Sequence, residues 1–181
     1  MAKLEVKRPT RVVSLCLDGD LIAEYESLQV EITEARRAQV SDARLNSPLP
    51  KLEKRHAELY AKQQEETVEF KLRALPRSVW EELKVKHPAR DDNELDEHYG
   101  FNTSTLFDEA MATKGTIDEV TQGGETVEFS AEDWAGIAED LTDGQFGDFA
   151  KALVELNAGR QRVPFSSAGY EMTQDSGENL K

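Results

Sequence analysis

The chain has 181 residues, 38% of them hydrophobic and 32% charged, with a formal net charge of −14 and a pI near 4.7. So few apolar residues argue against a single tight core, and so acidic a surface repels nucleic acid phosphates and anionic membranes, which excludes both as direct partners. One cysteine, Cys16, excludes an internal disulfide, no apolar run approaches the roughly 18–20 residues of a membrane helix, and the N-terminus lacks a signal peptide's apolar core, so an intracellular, soluble protein is expected.

Residues 11–17 (RVVSLCL) form a short β-rich run that Asp18-Gly19-Asp20 closes. Cys16 lies inside the run, which predicts a buried, inert thiol. A helix follows, capped by Asp20, with Leu21, Tyr25, Leu28, Ile32, Ala35 and Gln39 at alternating spacings of four and three. Asn46-Ser47-Pro48-Leu49-Pro50 breaks that heptad seam, and a second runs through Leu49, Leu52, His56, Leu59 and Gln63. Two seams joined by a Pro-rich turn predict an antiparallel helical hairpin. Thr67–Arg73 then alternates, with Val68, Phe70 and Leu72 on one side and Glu69, Lys71 and Arg73 on the other. A hairpin returns the chain to where it left. Residues 11–17 should therefore pair antiparallel with 67–73, with the hairpin projecting as a stalk.

Pro76 suits the first turn of a helix whose apolar stripe is Val79, Trp80 and Leu83 and which His87-Pro88 stops. Residues 89–102 read as a polar loop. Thr103 or Ser104 caps a helix with Leu106, Phe107, Ala110 and Met111 on its apolar side. A small hairpin is expected from 116–120 and 126–129 around Gln122-Gly123-Gly124. Ser130-Ala131-Glu132-Asp133 and Thr142-Asp143-Gly144-Gln145 are capping-box patterns. The first opens a helix with Trp134, Ile137, Ala138 and Leu141. The second opens the chain's strongest amphipathic helix, with Phe146, Phe149, Ala150, Leu153, Val154 and Asn157, ended by a left-handed Gly159. The polar, aperiodic residues after it read as a disordered tail.

The expected class is thus α+β and mainly helical. It comprises an antiparallel strand pair (11–17 with 67–73) carrying a helical-hairpin stalk, a small C-terminal helical domain and a disordered tail. The divisions fall at 1–66, 67–159 and 160–181.

Few residues offer chemistry. Asp18 and Asp20 after a strand permit an Mg²⁺-dependent phosphatase with one nucleophilic aspartate; the alternative is a turn and a helix cap. None of His56, His87 and His98 has zinc-ligand spacing with another His or with Cys16. His87 and His98 flank Asp91-Asp92-Asn93-Glu94, a divalent-ion candidate or a solvated loop. No phosphate-binding glycine motif occurs. Neither cofactor, metal nor catalytic residue is expected. No Lys or Arg lies between Lys114 and Lys151, while ten carboxylates do. Such a run is a solvated face or a surface that steers a basic partner. The apolar stripes of three helices, Trp80 and Leu83, Trp134 and Leu141, and Phe146, Phe149 and Leu153, anchor a core or form a groove for a partner helix.

From about residue 67 to 166 the chain resembles the tail assembly chaperones of long-tailed (siphovirus-type) bacteriophages. The matching residues are Arg73-Ala74-Leu75-Pro76, Trp80, Leu83, His87-Pro88, the acidic residues 91–94, and Gly100-Phe101-Asn102 leading into Leu106-Phe107. Trp134, Leu141, Gln145, Leu153, Leu156-Asn157 and Val163-Pro164-Phe165-Ser166 follow. The resemblance implies a protein that binds the tape measure protein, keeps it soluble and promotes tail tube polymerisation around it. It implies the tail tube protein as a second partner and several copies on one client. It also implies residence in the host cytoplasm, absence from the finished particle, a longer form made by ribosomal frameshifting, and no catalysis. The rival reading from charge is an acidic DNA mimic that blocks a nucleic-acid-binding protein.

Overall fold

The computed structural model describes residues 5–41 and 47–159. The tail expected over 160–181 and part of the turn expected between the stalk helices lie outside them.

Strands β1 (Thr10–Cys16) and β2 (Thr67–Arg73) pair antiparallel, from Thr10↔Arg73 to Cys16↔Thr67, as the alternation in each predicts. Between them run helices α1 (Gly19–Ser41) and α2 (Leu49–Glu65), packed on one another as the stalk. Their seam is thin. Only Leu28, Ile32 and Leu59 are buried, with Leu21, Tyr25, Leu49 and Leu52 partly covered around them. The Tyr25 and His56 rings meet at 4.6 Å, and the ion pairs Arg36–Glu53 and Arg55–Glu24 bridge the outside. The cap of α1 is Asp18 rather than Asp20. The Asp18 carboxylate accepts from the N–H groups of Asp20 and Leu21, because the helix begins one residue earlier, at Gly19. Cys16 is half-buried rather than buried, since its strand position faces away from the core.

The sheet is larger than the expected pair. Strand β3 (Ile117–Gln122) lies antiparallel against β2, and β4 (Glu125–Thr126) extends it in the order β1-β2-β3-β4. On the inner face Val13, Leu15, Val68, Phe70, Leu72 and Val120 are buried. On the outer face Lys71 and Arg73 of β2 meet Glu119 and Asp118 of β3, with Arg73 Nη2 to Asp118 at 2.7 Å. Opposite charges, Lys71 directly facing Glu119 and Arg73 diagonal to Asp118, favour that pairing. The turn is Gly123-Gly124, both at positive φ, as a two-residue hairpin turn requires. The returning strand is two residues long, shorter than expected.

Four longer elements close over the inner face: α3 (Arg77–Lys86), α5 (Leu106–Ala112), α6 (Ala131–Asp140) and α7 (Asp143–Asn157). Both capping boxes form, Ser130 with Asp133 and Thr142 with Gln145. Phe70 of β2 takes the edges of Phe129 and Phe149, each at 5.2 Å, and Phe149 takes the edge of Trp134 at 5.0 Å. Asn157 at the end of α7 accepts from the Leu75 N–H. Pro76 is the N-cap of α3 and not its first helical residue.

Three further expectations are corrected. Residues 89–102 are not all loop: α4 (Glu94–Tyr99) lies within them, capped by Asn93 and closed by Gly100 in the left-handed conformation. Neither Thr103 nor Ser104 caps α5. Thr103 is turned toward Asp96, and the Leu106 N–H bonds the Asn102 carbonyl. Gly159 is not left-handed, and α7 ends on Ala158 in the right-handed region. A Cβ at Gly159 would stand 2.2 Å from the Glu155 carbonyl oxygen, so the glycine answers a close approach.

Candidate partner-binding groove

Five of the seven residues singled out from sequence are core. Trp80 and Leu83 of α3, Trp134 of α6, and Phe149 and Leu153 of α7 are at most 4% exposed. Trp80 packs its ring at 5.8 Å from Phe101, in a set of ring contacts separate from the one that holds Trp134 against Phe149. Leu141 and Phe146 are half-buried against the same core. The three stripes therefore do not make one continuous surface. Besides half-buried Val79 on α3, only the margin of the α6 and α7 stripes reaches outside.

That margin opens on a groove of about 470 Å³ between α5, α6 and the start of α7. Its floor is Trp134 and Phe146, and its walls carry Ala112 of α5 and Ala135 and Ala138 of α6. Asp108 and Glu109 stand on one rim and Glu139 on the other. The local cause is the periodicity of α6. Trp134, Ile137 and Leu141 point into the core, and Ala131, Ala135 and Ala138 form a second stripe beside them, spaced by four and three residues. Sequence reading finds the first stripe through its large residues and overlooks the second, because alanine carries no strong hydrophobic signal.

The rim acids differ. Glu109 accepts from Lys86 Nζ and pairs with His87 Nε2, each at 2.7 Å, and these contacts, Lys86 first, hold its carboxyl below the usual carboxylate range. Asp108 and Glu139 make no ion pair among the described residues. Asp108 is exposed on its outer side, but its partial burial raises its carboxyl above the ordinary value, and the neighbouring Trp134 indole offsets this only in part. The indole N–H itself is buried without an acceptor in hydrogen-bonding geometry. An unpaired donor and an under-stabilised acid thus share one wall.

The acidic stretch divides in the same way. Asp118 and Glu119 are neutralised across the sheet by Arg73 and Lys71, whereas the carboxylates from Glu125 to Asp148 make no ion pair among the described residues. A second cleft, about 320 Å³ beside Gln64, Glu69, Thr121 and the Gly123-Gly124 turn, has polar walls and offers an apolar partner no floor.

The remaining candidates take structural roles. Asp18 caps α1. His87 bridges Thr105 and Glu109, and His98 stacks its ring edge on Tyr99 at 5.0 Å. Asp96, which sequence reading left inside a loop, is fully buried. It accepts from Arg90 Nε at 2.7 Å, from the Arg90 and Thr103 N–H groups and from the Thr103 hydroxyl. These bonds, the Arg90 pair foremost, hold its carboxyl far below the ordinary range. No cluster of three His, Cys, Asp or Glu side chains suited to a metal ion occurs among the described residues, and no helix among them is long and apolar enough to cross a membrane.

Compared with models of known protein families, with curated proteins and with solved structures, the chain matches none.

Proposed function

We propose that this chain is a tail assembly chaperone of the long-tailed bacteriophage type. It binds the tape measure protein in the host cytoplasm and keeps that long chain soluble while the tail tube grows around it. The order and spacing of the residues from Arg73 to Asn157 support the family. The groove between α5, α6 and α7 carries the mechanism, since it joins an apolar floor to acidic rims. An amphipathic client helix needs its apolar face covered and its flanking charges answered, and such a groove does both. The unpaired carboxylates of residues 125–148 keep a loaded complex soluble. Weak contacts repeated by several copies along one client add through effective concentration.

Co-expression with a tape measure protein tests this reading. The client is expected in the soluble fraction and to co-purify with more than one copy of the chain. A client equally soluble without the chain refutes the proposal. The run of unpaired carboxylates also supports an acidic DNA mimic. Inhibition of a DNA-binding enzyme at equimolar chain, with no effect on client solubility, would favour that reading instead.

A further inference from the structure

The geometry points to a specific occupant for the α5–α6–α7 groove: an amphipathic helix that lays small or medium aliphatic residues on the Ala135–Ala138 wall and sets a lysine or arginine between Asp108 and Glu139. The inference rests on the chaperone reading for its client but not for its chemistry.

The shape argument comes first. Alanines at 135 and 138 on α6 and at 112 on α5 leave both walls low. Small side chains let a helix axis approach to the near end of the usual ~8–10 Å range. The ten residues of α6 span about 15 Å, room for close to three turns of a partner helix. Trp134 and Phe146 supply the aromatic floor that anchors such contacts, and both are already held by the core, so little freedom is lost on binding.

The charge argument then selects the helix. Lys86 and His87 already answer Glu109, but no cation among the described residues pairs with Asp108 or Glu139. The buried indole N–H of Trp134 lacks an acceptor at the same wall. A cation between the two rim acids answers both charges, and the Asp108 carboxylate on the same wall can turn to accept from the indole N–H. One incoming group thus relieves both defects. A helix flanked by glutamates would meet two like charges instead.

Two synthetic helical peptides of about 20 residues, a length that supports isolated helix, test the inference. They share a Leu/Ala face and differ in flanking Lys or Glu. A Trp80→Phe background leaves Trp134 as the only indole, and labelled-peptide anisotropy on the unmodified chain gives an independent readout. The Lys peptide is expected to bind and to perturb Trp134 emission, and the Glu peptide to bind at least tenfold more weakly. Asp108→Asn or Glu139→Gln should each weaken the Lys peptide about two- to fivefold, the effect of an exposed ion pair. Ala135→Leu adds bulk at an exposed helix position and should weaken it about tenfold or more, with unchanged far-UV circular dichroism. Equal affinity for the two peptides, failure of the Lys peptide to bind, or an Ala135→Leu variant that binds as well as the parent overturns the inference. The chaperone reading fails separately. A chain that binds the Lys peptide in the groove yet leaves the tape measure protein insoluble keeps the site and loses the client. A chain that solubilises the client equally well with Ala135→Leu keeps the client and loses the site.

Discussion

Truncating Phe149 to alanine should cost a large share of the stability of the sheet core and leave the stalk's own contacts intact. Phe149 is 1% exposed and stands where α7 meets β2 and α6, with the rings of Phe70 at 5.2 Å and Trp134 at 5.0 Å. Core Phe→Ala changes cost about 3–5 kcal/mol. Two edge-on aromatic partners, each worth about 0.5–1.5 kcal/mol, place this site near the top of that range. Domains of this size are stable by roughly 5–15 kcal/mol in total. Leu28→Ala is the control. Leu28 is equally buried, at 2%, but its cluster holds only Ile32 and Leu59 besides, and so small a cluster can collapse onto the gap. About 2–3 kcal/mol is expected there. Urea titrations read both changes. Trp80 and Trp134 lie in the sheet core, so their emission reports on that core alone, whereas far-UV circular dichroism also reports on α1 and α2. Phe149→Ala should pull the fluorescence midpoint down sharply. Leu28→Ala should lower the dichroism midpoint and leave the fluorescence midpoint nearly in place. If Leu28→Ala moves the fluorescence midpoint as far as Phe149→Ala does, stalk and sheet core unfold as one unit and the reasoning from separate clusters is wrong.

Acid should destabilise the chain through Asp96, Glu109, Asp118 and Asp133, whose carboxyls all titrate below their ordinary values in the folded state. The stability they contribute is fully present above about pH 4, the unfolded carboxylate range, and is lost as pH falls below it. In thermal melts, Asp96→Asn should lower the midpoint at neutral pH and flatten its decline below about pH 4; an unchanged acid limb would show that the Arg90 pair is inert. Gly100→Ala should cost about 1–2 kcal/mol from positive φ alone, because nothing lies within 4 Å of its added Cβ, and a neutral result in urea would place the strain elsewhere. Ser130→Ala removes the N-cap of α6 and should cost about 1 kcal/mol by the same titration.

What was legible in the chain followed periodicity. Alternation in Thr67–Arg73 and heptads on either side of Pro48 placed the strand pair and stalk, because each pattern repeats long enough to outweigh chance. The capping boxes at Ser130 and Thr142 were readable because two side chains three residues apart must agree. Pairing of β3 with β2 was not readable. It depends on Arg73 meeting Asp118 across a separation of 45 residues, and no local pattern carries that. Helix α4 was missed because six residues show no period. Its signals are Asn93 at the cap and Gly100 at the stop, two residues equally common in loops.

The candidate site was half legible for a related physical reason. Large apolar residues announce themselves in sequence, and the same size that makes them visible drives them into the core, so Trp80, Leu83, Trp134, Phe149 and Leu153 are poor guides to a free surface. A groove is defined by what is missing from its walls. Here that is the methyl-sized side chains of Ala112, Ala135 and Ala138 beside rings the core already holds. The acids show the same split, since carboxylates crowd both β3 and α6, yet only those on β3 face the cations of β2. Which charges stay open to a partner is decided by tertiary neighbours. The unanswered pair Asp108 and Glu139, on two helices either side of a buried indole N–H, is therefore information that enters only with the fold.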